Sequence, residues 1–321
     1  MSKWLLGRLF IGTDQPVPHF AFQGSINWMR ALAILSDTDP LSDVSLRVKY
    51  QTVVRRLPVD IDSDTCIFES LLKAMHNLSA LGNLLNITCK YDIVRSAIIA
   101  WYYCIYFASH AMIFAASNEK PETHSKTDKV WHSNIVNRNL AAGIFGLHLT
   151  QTVPSSVRQA IHTLRSGNVL DLNDYPTNEP MALGCVYAYL KGTAKFEQDF
   201  IETRIRASKE FRDLGVTNFR KVVARKLRDA QLIRRQVNFL TQAFRYRGKA
   251  NYRDSIYLSY GDDYSVKMDQ FILDLEKVAN KFLRMSIIYV NRRVEAGSWD
   301  LFVGDLTANA RISYDPALLE C

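Results

Sequence analysis

Ala97 to Ala116 reads AIIAWYYCIYFASHAMIFAA, twenty residues without one Asp, Glu, Lys or Arg. A helix of that length can cross a bilayer. It can equally be the central helix of a large bundle, apolar on every side because other helices cover every side. The three tyrosines, the serine and the histidine within it point to the bundle, since a lipid-facing helix would be richer in Leu, Val and Ile. Membrane is therefore not expected as a partner. The whole chain, 48% hydrophobic and 22% charged, has the balance of an ordinary globular protein.

Around that helix the spacing predicts others. Ile67, Leu71, Leu72, Met75, Leu78 and Leu81 form one apolar stripe, with Ser63 or Asp64 able to cap its start. Tyr189, Thr193, Phe196, Phe200, Ala207, Phe211 and Leu214 form a second. Val223, Leu227, Ala230, Ile233, Val237, Leu240 and Phe244 form a third, read as one continuous helix after Gly215. Met268, Ile272, Leu275, Ala279, Phe282 and Tyr289 form a fourth. Long amphipathic helices on an apolar central one make an all-α helical bundle, expected over residues 61–293.

The flanks are harder to read. Pro16, Pro18 and Pro40 break residues 1–60, which read as an N-terminal extension with its own short elements. One is a helix from Ser25 to Leu35. The alternation of Val44, Leu46, Val48 and Tyr50 reads as a strand, with helix as the other possibility. Asn118–Asp128 is a polar turn, followed by a helix over Lys129–Arg138. Residues 139–180 read as a loose surface insertion or connecting segment with one short helix from Pro154 to about Leu164, and 294–321 as a loop-rich tail carrying Gly297, Gly304 and Pro316.

Five widely spaced cysteines without a CxxC exclude a disulfide framework and a zinc knuckle, and suit a reducing, cytoplasmic setting. The apolar run in MSKWLLGRLFIG lacks a convincing cleavage site, so no secretory signal is expected. There is no HExxH, Walker A loop, GxSxG or dinucleotide glycine motif, so neither a metal nor a cofactor is expected.

The net charge of +8 favours an anionic partner, RNA or DNA before others. The charge is local. Arg204 to Arg235 holds eleven Lys or Arg against three acids, an excess equal to that of the whole chain. Arg225, Arg228 and Arg235 lie off the apolar stripe there and can track phosphates. The ordinary alternative is a solvated face docking nothing, or an acidic protein.

A second basic group, Arg245, Arg247 and Lys249, brackets Gly248 and is followed by Asn251 and Tyr252. A helix break at Gly248 bordered by cations can hold a phosphate. If helix continues instead, Arg247 and Asn251 share one face and Tyr252 another. All seven histidines precede residue 163, so none adjoins this group in sequence. His110 reads as a core histidine, while His124 and His132 bracket a helix start.

Four pieces now stand in order. They are Tyr102-Tyr103-Cys104-Ile105-Tyr106-Phe107, a loop with His124, Arg247-Gly248-Lys249-Ala250-Asn251-Tyr252, and the helix around Leu275–Leu283. The arrangement resembles the HEPN superfamily, whose members pair a YYxxF helix and loop histidine with an RxxA(D/N)Y element. The resemblance covers residues 91–290, with 139–180 inserted. It implies a four- or five-helix bundle that often dimerises or joins a multisubunit complex, in prokaryotic defence, toxin–antitoxin or RNA-processing systems. Active members are metal-independent ribonucleases using an Arg with a His four to six residues later. Here Tyr252 stands five after Arg247, and a phenol with a pKa of about 10 is a poor base at neutral pH. The resemblance therefore implies a non-catalytic nucleic-acid- or partner-binding component. The alternative is a ribonuclease in which Arg247 works with His124 or Tyr252.

Overall fold

The computed structural model describes Trp4 and residues 18–253, 258–259 and 265–320. Among them it forms twelve α-helices and no strand, an all-α bundle as the sequence periodicities require. At its centre is α4 (Lys90–Ser117), covered by α3 (Ile61–Leu84) on one side and α11 (Ser265–Arg293) on another. α4 is long and apolar enough to span a membrane by length and composition, but most of it is buried inside the bundle. Trp101, Cys104, Ile105, Ala108, Met112 and Ile113 are all fully enclosed.

The N-terminal stretch contributes to the same core. In α1 (Pro18–Leu35), Trp28 is completely buried and stacks on Tyr189 at 4.1 Å between ring centroids. It meets Trp101 edge-on at 6.2 Å and Tyr246 at 5.1 Å. One indole thus joins α1 to α4, to α7 (Glu179–Arg206) and to α10 (Phe239–Gly248). The stretch expected as a strand is helix α2 (Asp43–Val53), and the reason is local as well as tertiary. Ser42 caps it by accepting from the Ser45 amide at 3.2 Å. Leu46 and Tyr50, one turn apart, go inward, while Val44 and Val48 stay exposed. Half of the apparent alternation was therefore surface.

Other expectations are corrected in the same way. The polar turn and the helix from Lys129 give way to α5 (His124–Trp131), which starts five residues earlier because Thr123 caps it through the Lys126 amide at 3.2 Å. A π turn, His132–Val136, comes next. Residues 139–180 are not a loose insertion. Leu140, Ala141, Ala142, Ile144 and Phe145 are in the core, and the short helix expected from Pro154 is α6 (Pro154–Arg165), packed on α7. The connection after α6 runs so close to α7 that a Cβ on Gly184 would sit 1.9 Å from the Val169 carbonyl oxygen, which leaves room for glycine alone.

The continuous 223–244 helix is two helices, α9 (Val222–Leu232) and α10. Between them Val237 pairs with Leu149 in an isolated antiparallel bridge, taking Ile233 out to solvent. The 189–214 stripe likewise divides at α8 (Lys209–Asp213), capped by Ser208. α12 (Ala296–Asn309) occupies half of the tail expected to be loop. Arg284 anchors the segment after α12: its guanidinium donates to Asp43 at 2.8 Å and to the Leu318 carbonyl at 2.5 Å.

Because Trp28 joins four helices, Trp28→Ala should lower unfolding free energy by about 3–5 kcal/mol. Lys73→Ala, which breaks a pair with Glu69 exposed on both sides, should cost no more than about 0.5 kcal/mol. Urea denaturation followed by circular dichroism checks both.

Candidate functional site

α10 starts at Asn238, whose side-chain oxygen accepts from the Leu240 and Thr241 amides at 2.8 and 3.2 Å. Ten residues of α-helix then bring Arg247 opposite α4. Its guanidinium lies 5.2 Å from the Tyr102 ring, 5.5 Å from Tyr103 and 5.9 Å from Phe244. One amino group reaches the Tyr103 hydroxyl at 3.5 Å, and Nε is buried without a partner. Among the described residues no carboxylate lies within ion-pair distance of Arg247. A cation so placed is held by ring faces.

His124, the first residue of α5, shares this cradle. Its ring stacks on Phe244 at 5.3 Å and lies 4.5 Å from Tyr106. Its Nδ1 is 2.7 Å from the Tyr102 hydroxyl. Burial pushes Tyr102 well above its usual value, so the phenol keeps its proton. Burial, with the nearby Arg247 charge, holds His124 below its usual value, so the imidazole is neutral at pH 7. Tyr102 has no other acceptor among the described residues, so we assign it as the donor and Nδ1 as the acceptor. The ring hydrogen of His124 is then on Nε2. Arg247 and His124 together present donors, an arrangement suited to an anionic oxygen.

His110 borders the group, with its ring 4.3 Å from Tyr106 and Nε2 3.0 Å from the Thr127 hydroxyl. Burial, assisted by His124 and Lys73, pushes it down to about 4. Tyr103, Tyr106 and Phe107 are only partly covered, so aromatic faces continue along α4 beside Arg247.

The other expected contacts separate from this site. Arg245, two residues earlier, turns toward α7, donating to Thr193 at 2.9 Å and lying over Phe196 at 4.9 Å. Lys249 reaches the Ser25 hydroxyl at 3.3 Å. The helix does not break at Gly248. It continues, with the Lys249 amide still bonding back to the Arg245 and Tyr246 carbonyls, and then widens into a π turn, Lys249–Arg253. The side chain of Tyr252 and residues Asp254 and Ser255 lie outside the described residues. His132 faces His148 instead, at 5.5 Å between rings.

Of the basic stretch, Arg225 is exposed on α9 and forms no ion pair among the described residues. Arg228, expected as a phosphate contact, is engaged within the fold. It pairs with Glu202 at 3.3 Å and Asp229 at 2.9 Å and lies over Phe219. Arg235 is half-buried near Glu197, whose carboxyl burial raises. The residues missed from sequence are Tyr102 as partner of His124, together with Phe244, Asp128 and Thr241. Only the tyrosine-rich pattern of α4 signalled any of them.

Among the described residues no three His, Cys, Asp or Glu gather as metal ligands. A cavity of about 850 Å³ lies between α12 and the C-terminal segment, lined by Trp299, Val303, Thr307 and Tyr314, and shares no residue with the cradle. No family model matches the chain, and comparison with curated proteins and with solved structures finds no match either.

A histidine kept neutral by folding binds fewer protons than the unfolded chain between its two pKa values. Its contribution to stability is present above the ordinary value of 6.5 and is lost as pH falls from there toward about 4. The stability of the wild type relative to His110→Gln should therefore decline over that interval. Paired urea titrations at pH 7, 5.5 and 4.5 measure it.

Proposed function

We propose that this protein is a HEPN-like nucleic-acid-binding component of a prokaryotic defence or toxin–antitoxin type assembly, with the Arg247 cradle as its phosphate contact. The observation that carries this reading is a guanidinium that has no carboxylate within ion-pair distance among the described residues, held among aromatic rings at a partly open surface. Phosphate oxygens supply the missing charge. The half-covered rings of Tyr103, Tyr106 and Phe107 supply faces on which unpaired bases stack. The HEPN resemblance supplies the assembly context, and a fold alone would not define the activity. Arg225 on α9 adds a second, long-range electrostatic contact.

Binding is preferred to cleavage on the assignment of the His124 proton to Nε2. With Nδ1 occupied by Tyr102 and the hydrogen on Nε2, the imidazole has no free lone pair to act as a base. The second reading, a metal-independent ribonuclease, draws on the proximity of His124 to Arg247 around Tyr102 and Phe244. It requires the Tyr102 bond to reverse.

Fluorescence anisotropy with single-stranded RNA and DNA, in buffer containing EDTA, separates the two. Arg247→Ala should weaken binding about tenfold, one lost charged contact. Arg225→Ala should reduce the steepness with which affinity falls as salt rises. Cleavage of the RNA that disappears in both Arg247→Ala and His124→Ala would establish the ribonuclease. Affinity indifferent to salt and to both arginines would remove nucleic acid from the proposal and leave an acidic protein partner.

A further inference from the structure

We infer that Asp128 is the positioning residue of the Arg247 cradle, its bond from Thr241 fixing the helix that carries His124 against the helix that carries Arg247. The inference rests on the reading of the cradle as a binding site. Asp128 lies one turn after His124 on α5, and Thr241 lies in the first turn of α10, six residues before Arg247. The Thr241 hydroxyl donates to the Asp128 carboxylate at 2.7 Å and accepts from the Asn238 amide at 3.1 Å. Asn238 also donates its side-chain amide to the Asp128 carbonyl at 3.3 Å. The cap that begins the Arg247 helix is therefore fastened, at two points, to the His124 helix.

The chemistry of Asp128 shows that this bond is more than a surface contact. Burial pushes its carboxyl up to about 6, with Thr241 and Asn238 opposing and Glu197 adding to the rise. At neutral pH it is ionised and can only accept. Among the described residues no Lys or Arg lies within ion-pair distance of it. A buried carboxylate held by neutral donors is expensive for stability. Its return is geometric: the acceptor stands at the N-terminal end of α10, where the helix dipole favours negative charge. Thr241 has a single hydroxyl proton, so using it on Asp128 sets one register between the two helices. Without that register, neither the Tyr102–His124 bond nor the shared Phe244 contact has a fixed geometry.

The test uses Asp128→Asn, Asp128→Ala and Thr241→Val in the full chain. Asp128→Asn keeps an acceptor oxygen without the charge, and Thr241→Val removes only the hydroxyl while keeping the side-chain shape. The primary readout is the titration of His124, followed by ¹⁵N–¹H NMR of the imidazole. In Asp128→Ala and Thr241→Val the His124 pKa should rise toward its ordinary value of 6.5, as the ring leaves its buried place beside Arg247. Asp128→Asn should leave it unchanged, which separates positioning from the carboxylate charge. Single-stranded RNA affinity should fall about tenfold in the first two and stay within about twofold in the third. Circular dichroism checks that each variant is folded; Thr241→Val carries the test if Asp128→Ala is not. An unchanged His124 titration in folded Thr241→Val overturns the inference. If His124 shifts as expected but Arg247→Ala leaves RNA affinity unaltered, the positioning role stands and the binding function fails.

Discussion

Everything in this fold depends on covering α4. Its apolar stretch can be hidden from water only by neighbours on all sides, and each buried Leu, Ile or Phe side chain is worth about 1.5–3 kcal/mol. α3 and α11 provide two walls, and the Trp28–Tyr189–Trp101–Tyr246 group closes another. The N-terminal helix α1 is thereby part of the central packing. Trp28 places it against three elements that come from widely separated parts of the chain.

The same requirement shapes the Arg247 cradle. One side of α4 is not fully covered, and there its tyrosines hold an arginine and a histidine where leucines would only fill space. Burial keeps the phenol protonated and the imidazole neutral, so neither offsets the Arg247 charge, and no described carboxylate lies within ion-pair distance of it. A guanidinium buried among rings costs stability unless it is paired, which is why the arrangement is proposed as a site for an anion. The basic residues from Arg204 to Arg235 are used differently. Arg206 and Arg228 are engaged with Glu202, while Arg225 stays in solvent. A charge count over that stretch overstates what is open to a partner.

Much of the fold was legible because long helices carry their own periodicity. The stripes from Ile67 and from Met268 needed only one apolar face, and each became α3 or α11. Short elements were less legible. Leu46 and Tyr50 fit two periods equally well, and the Ser42 cap with core burial chose helix. The stripe from Val223 to Phe244 kept its spacing across a break because Val237 is buried by pairing with Leu149, not by lying on a helix face. Of the site, Arg247 and His124 could be named singly, as residues of the right chemistry.

The sequence by itself determined that this is an all-α protein organised on one uncharged helix, because twenty residues without charge and several 3.6-residue stripes leave few other ways to remove apolar surface from water. It also determined that no histidine follows Arg247 along the chain. Only the tertiary structure decided that His124, more than a hundred residues earlier, stands beside it. That contact arises where α5 and α10 meet on α4, through Tyr102 and the Asp128–Thr241 bond. Sequence spacing carries the periodicity of a single helix, while a contact between helices depends on how their faces pack, which no local pattern encodes.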